Sequence, residues 1–216
     1  MIRAVIFDMD GLLADTEMNS FRKLGEIVEE HGGTFEKEVY IRDYCGQTEL
    51  ANVTRLIDTY GLPMSAEECL KFVLDKEAEA IREGVDLKDG SLELLNYLKD
   101  NGYHIAMATS SAKPRADLIV GPHDIMHYFE QVVYGPEVPR SKPAPDIFAK
   151  AVEKLGLKAE DCLVLEDSEN GIRAAYAAGT PVICIPDMKM PRDEYKALCA
   201  AVLPSLHEVI DYLKTH

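Results

Sequence analysis

Ile2-Arg-Ala-Val-Ile-Phe-Asp8-Met-Asp10-Gly11-Leu-Leu-Ala-Asp15-Thr16 is the stretch from which the fold can be read. An apolar run rich in Val, Ile and Phe stops abruptly at an acidic turn containing glycine. This is the pattern of a strand buried in a parallel sheet, and the residues just past such a strand lie where open α/β sheets bind ligands. Asp8 and Asp10 share the period-two spacing of a strand, and Gly11 lets the chain turn with its backbone close to a ligand. Two carboxylates this near each other are costly to ionise together unless a cation screens them or one keeps a proton. The stretch predicts a chemical site at the end of the first strand.

Beyond Thr16 the period changes, with Met18, Phe21, Leu24, Ile27 and Val28 on one helical face before His31-Gly32-Gly33. A second helix is predicted from Lys37 to Tyr44, stopping at Cys45-Gly46. A third carries Leu50, Val53, Leu56, Ile57 and Tyr60 up to Gly61-Leu62-Pro63. Ser65-Ala66-Glu67-Glu68 has the form of a capping box and opens a fourth helix running to about Arg82. Residues 16–85 therefore read as one helical unit inserted behind the first strand.

The remainder alternates strand and helix, which predicts an α/β fold with a doubly wound parallel sheet built from residues 1–15 and 86–216. Strands are expected at 104–109, 131–134, 162–166 and 181–185, with a short one at 202–203. Helices are expected at 91–101, after Ser111, and at 145–155, 171–178, 194–199 and 206–214.

Three later stretches carry further chemistry. Strand 104–109 ends in Thr109-Ser110-Ser111, where hydroxyls and the N–H groups of the next turn suit an anion; Ser111 is also expected to cap the following helix. Ser141-Lys142-Pro143-Ala144-Pro145-Asp146 sets a lysine before two prolines that stiffen the start of a helix and aim the charge. Val164-Leu165-Glu166-Asp167-Ser168 again ends an apolar strand in two carboxylates, an oxygen-rich set suited to Mg2+.

These four stretches resemble the four motifs of the haloacid dehalogenase (HAD) superfamily, and the likeness to its β-phosphoglucomutase-like phosphatases covers essentially the whole chain. The resemblance implies a Rossmann-like core with residues 16–85 as an α-helical cap domain. It implies a Mg2+-dependent phosphatase for a small phosphorylated metabolite, a sugar phosphate being the expected class. In that scheme Asp8 is the nucleophile that forms an aspartyl-phosphate, and Asp10 is the acid and base. Mg2+ is held by Asp8, the backbone carbonyl of Asp10 and Asp167, with Glu166 in or near its shell. Thr109 and Lys142 act on the phosphate beside Gly11, Ser110 and Ser111, while Thr48, in a cap loop, lines the substrate pocket. Asp15 is expected to brace the turn into the cap. Ser20 and Glu49 stand where β-phosphoglucomutase carries a histidine and an arginine, and a negative Glu49 suits a second phosphate poorly, which favours hydrolysis. Phosphosugar mutase activity is the alternative, followed by a non-catalytic HAD-like binding protein.

A chain of 216 residues can bury a sizeable core, and its net charge of -15 opposes binding to nucleic acid or to an anionic membrane. No apolar run approaches membrane-spanning length and the opening is too short for a signal-peptide core, so a cytoplasmic location is expected. The five cysteines are scattered without zinc spacing and read as reduced packing residues. A monomer or weak homo-oligomer is expected.

Overall fold

The computed structural model describes residues 1–215. In chain order it forms β1 (Ala4–Phe7), α1 (Thr16–Glu30), α2 (Lys37–Asp43), α3 (Glu49–Tyr60), α4 (Ala66–Glu83), α5 (Ser91–Asp100), β2 (His104–Thr109) and α6 (Lys113–Val120). There follow β3 (Gln131–Tyr134), α7 (Asp146–Leu155), β4 (Cys162–Glu166), α8 (Glu169–Ala177), β5 (Val182–Cys184), α9 (Asp193–Lys196), β6 (Ala201–Val202) and α10 (His207–Thr215). The chain divides into two compact units, residues 1–15 with 86–216, and residues 16–85.

The first unit holds a six-stranded sheet in the order β3-β2-β1-β4-β5-β6. All pairings are parallel, with Phe7 in register with Met107 on one side and Leu165 on the other. Every residue of β1 is buried, as a strand covered on both faces requires. Its alternate residues Ala4 and Ile6 join Ala106, Ala108, Val164 and Val182 in a layer closed by Ile147, Phe148 and Ala151 of α7 and by Ile172, Ala174 and Ala175 of α8. Because the chain winds outward from β1 in both directions, β1 and β4 flank the point where strand order reverses, where such sheets bind ligands.

The helical unit buries Leu24, Ile27 and Val28 of α1, Val53 and Leu56 of α3, and Cys69, Val73 and Ile81 of α4. Phe35 is the centre of an aromatic cluster, with ring centroids 5.2 Å from Tyr44, 5.9 Å from Phe21 and from Tyr60, and 6.3 Å from Tyr40. Both parts of the capping box at Ser65 and Glu68 form.

Several boundaries differ from those read in the sequence, for local reasons. α8 starts at Glu169 because Ser168 takes the N-cap position and its Oγ accepts from the Gly171 amide at 3.1 Å. α6 has Ala112 at its N-cap and no side-chain cap; Ser111, expected to cap it, directs its hydroxyl elsewhere. α9 ends at Lys196, and β6 lies one residue earlier than expected. The five cysteines are free thiols. No helix among the described residues is long and apolar enough to cross a membrane.

Candidate active site

Asp8 is the first residue past β1, and its amide donates to the Leu165 carbonyl at 3.0 Å, which holds it beside the end of β4. The chain then folds into a tight loop. The amides of Leu13 and Ala14 both donate to the Met9 carbonyl at 3.0 Å, and Gly11 N–H donates to Ala14 O at 2.9 Å. Gly11 has φ 77°, and a Cβ there would lie 2.5 Å from Oδ2 of Asp167. The missing side chain therefore serves both the turn and the close approach of the second acidic strand end.

Lys142 joins the two acidic ends. Its Nζ donates to Oδ1 of Asp8 at 2.7 Å and to Oε1 of Glu166 at 2.6 Å, and it lies 4.8 Å from the centroid of the Phe148 ring. Glu166 is fully buried, and its other oxygen accepts from the Ser168 amide at 2.8 Å and from the Ser168 hydroxyl at 2.9 Å. Both Glu166 oxygens are thus engaged in positioning Lys142 and the start of α8.

Burial raises the Asp8 carboxyl above the ordinary aspartate range; Lys142 opposes the shift, and Glu166 and Asp10 add to it. For Lys142, burial disfavours the ammonium, but the Asp8 and Glu166 carboxylates outweigh it and hold the group above lysine's usual value.

Carboxylate oxygens of Asp8, Glu166 and Asp167 lie within 4.8 Å of one another. Lys142 is hydrogen-bonded to two of these carboxylates, and Lys88 acts electrostatically on Asp167; the all-oxygen donor set suits a hard divalent ion. With Glu166 already taken up by Lys142 and Ser168, Asp8 and Asp167 are the better placed of the three to hold it.

Asp10 belongs to a separate cluster. The Ser111 hydroxyl donates to its Oδ2 at 2.9 Å, and Nη1 of Arg115 donates to Oδ1 at 2.8 Å, to Oδ2 at 3.0 Å and to the Ser111 oxygen at 2.5 Å. Arg115 escaped the sequence reading. Its one local signal is its place in the first turn of the helix that follows Thr109-Ser110-Ser111. Thr109 is fully buried and its Oγ1 accepts from the Ser111 amide at 3.1 Å. Ser110 is exposed, and Gly135 packs so tightly on it that a Cβ would lie 2.0 Å from the Ser110 carbonyl oxygen.

Two other residues singled out in the sequence have local partners of their own. Thr48 is in the helical unit, where it is exposed and caps α3 by accepting from the Ala51 amide at 3.3 Å. Asp15 donates its amide to Asp86 O at 2.9 Å, and its carboxylate lies 3.9 Å from Lys88, whose Nζ donates to Asp187 at 2.6 Å. It braces the place where the chain leaves and re-enters the α/β unit.

Residues 5–185 match the family profile described as haloacid dehalogenase-like hydrolase. A Drosophila melanogaster protein named "Probable pseudouridine-5'-phosphatase" is 36% identical over 196 residues, covering 88% of this chain and 84% of its own. The phosphorylated carbohydrates phosphatase of Thermotoga maritima is 31% identical over 178 residues, covering 82% of each chain. Among solved structures, a HAD family hydrolase from Deinococcus radiodurans, crystallised with bound phosphate and sodium, superposes with a TM-score of 0.86 at 25% identity, over 99% of this chain and 96% of that one.

Proposed function

The chain belongs to the haloacid dehalogenase-like hydrolase family, and from that premise we propose that it is a Mg2+-dependent phosphatase acting on a small phosphorylated metabolite, with sugar phosphates the favoured class. The observation that carries this reading is the convergence of Asp8, Lys142, Glu166 and Asp167 at the switch point of the sheet.

Asp8 attacks phosphorus to give an aspartyl-phosphate, and the ester oxygen departs with a proton from Asp10. Asp10 then takes a proton from the water that opens the acyl phosphate, releasing inorganic phosphate and regenerating Asp8. Lys142 holds the attacking carboxylate in place and places positive charge beside the equatorial phosphate oxygens. Thr109 and the amides of the turn after β2 bind those oxygens. Asp8, the backbone carbonyl of Asp10 and Asp167 would hold Mg2+, which when bound would supply the charge neutralisation that a carboxylate needs to approach a phosphate. Residues 16–85 form the cap domain, and substrate choice resides there.

Glu49 favours hydrolysis over phosphosugar transfer. Its carboxylate accepts from the buried Lys23 ammonium at 2.6 Å, so this position gives no cation to a second phosphate.

The test is inorganic phosphate release from a panel of phosphorylated metabolites, with Mg2+ or chelator, beside Asp8→Asn. Conversion of β-glucose 1-phosphate to glucose 6-phosphate is followed in the same samples. Mg2+-dependent release that disappears in the variant supports the phosphatase; isomerisation without release replaces it with a mutase.

A further inference from the structure

From the Asp10 cluster we infer that Arg115 is a positioning residue, which with Ser111 fixes the Asp10 carboxylate for proton transfer. This rests on the phosphatase reading and extends it to a residue outside its four motifs. The backbone around Asp10 is set by the loop of hydrogen bonds to Met9 and Ala14, but its side chain is 31% exposed and needs its own restraint. Lys142 cannot supply it, being bound to Asp8 and Glu166. Nη1 of Arg115 spans both Asp10 oxygens at 2.8 and 3.0 Å, and the Ser111 hydroxyl closes a three-membered cluster, 2.9 Å from Asp10 and 2.5 Å from Nη1.

Arg115 is itself anchored. It rides on α6 one turn beyond Ser111 and next to Ala116, which with Ile119 and Val120 packs that helix into the core. An ion pair whose partners are 30% and 31% exposed contributes little to stability. What this one fixes is orientation. A proton donor has to stand within hydrogen-bond reach of the leaving oxygen, and a small misplacement there costs rate rather than affinity. The two carboxylates of the first motif are thus held by different cations, Lys142 for Asp8 and Arg115 for Asp10.

The test is a double-variant cycle of Arg115→Ala and Asp10→Asn. Mg2+-dependent phosphate release is read with p-nitrophenyl phosphate and with the fastest of glycerol 2-phosphate, ribose 5-phosphate and β-glucose 1-phosphate. Arg115→Ala is expected to lower kcat on the alkyl phosphate by about 10- to 100-fold with little change in KM. The loss is smaller on p-nitrophenyl phosphate, whose leaving group departs without a proton, and Arg115→Ala adds nothing in the Asp10→Asn background. Added methylguanidinium restores part of the rate, a rescue that a purely structural role does not produce. Should Arg115→Ala fail to melt cooperatively, Arg115→Lys and Ser111→Ala carry the test, each with the same leaving-group dependence. Equal losses in both backgrounds, or a raised KM at unchanged kcat, overturn the inference while leaving the phosphatase intact. A wild-type enzyme silent on every probe removes both.

Discussion

A Cβ placed on Gly171 would lie 1.8 Å from the carboxyl carbon of Glu166. In an exposed helix interior, replacing glycine by alanine stabilises by up to about 1 kcal/mol. Here the sign reverses. Glu166 is fully buried and holds both Lys142 and the Ser168 cap, so it has nowhere to move. Gly171→Ala is expected to cost about 1–3 kcal/mol by overpacking and to lower kcat by shifting Lys142 relative to Asp8. Thermal unfolding and phosphate release measured together check it; wild-type values in both would show that Glu166 relocates freely.

Lys142→Met removes the one ammonium between two buried carboxylates. Breaking a buried pair from one side costs about 3–5 kcal/mol because the remaining charge stays buried and unpaired. In this variant Asp8 and Glu166 lose the cation between them, and either a proton or a divalent cation has to offset their charge. We expect Lys142→Met to lose phosphatase activity and to melt well below wild type without Mg2+. Its Tm should rise more on adding Mg2+ than that of the wild type does. Equal Mg2+ responses in calorimetry would place the cation away from Asp8.

The strands could be read in advance because they are short apolar runs that stop at or just after a carboxylate or a turn residue, as Phe7 gives way to Asp8 and β4 closes on Glu166 before Asp167. The helices of the second unit were visible for a similar reason, their periodicity and the capping box at Ser65 being local signals. What stayed hidden was partner choice over long separations. Ser111 looks like a helix cap by sequence, yet its hydroxyl pairs with Asp10, 101 residues earlier. Arg115 is an ordinary helical arginine until the fold brings β1 beside β2. Glu166 reads as lying in or near the shell of a metal, and the structure adds that its two oxygens also accept from Lys142 and Ser168.

Without metal, the raised Asp8 carboxyl makes stability depend on pH. Burial is the main cause, with Glu166 and Asp10 adding to it and Lys142 opposing it, and the group moves from 3.8 up to about 7 in the folded chain. The native state therefore binds more protons than the unfolded state across this window. Asp8's contribution is fully present below about pH 4 and is lost as pH rises toward about 7. In chelator, the Tm of wild type should fall relative to Asp8→Asn over that range. Mg2+ affinity should rise over the same range, since cation and proton compete for one carboxylate. Parallel Tm profiles for the two proteins would remove Asp8 as the titrating group.

In the helical unit, the Lys23 side chain is only 4% exposed, and its Nζ lies 2.6 Å from Glu49 and 3.9 Å from Glu77. The second oxygen of Glu49 is buried without a hydrogen-bond partner, so the pair is not fully satisfied. Removing either charge alone leaves the other exposed to the cost of burial, whereas replacing both with apolar groups of similar size is often neutral or stabilising. Glu49→Ala is expected to lose about 2–3 kcal/mol, less than a fully buried pair because the Glu49 side chain is 35% exposed. Glu49→Arg should lose more, since it sets a second cation against Lys23. Lys23→Met with Glu49→Leu should recover most of the loss, read as Tm in a double-variant cycle. The charge at position 49 is then committed to the fold of this unit, and converting it to a phosphate-binding cation requires changing Lys23 as well. If Glu49→Arg melts like wild type, that coupling is absent, and the position is open to the second phosphate of a bisphosphate after all.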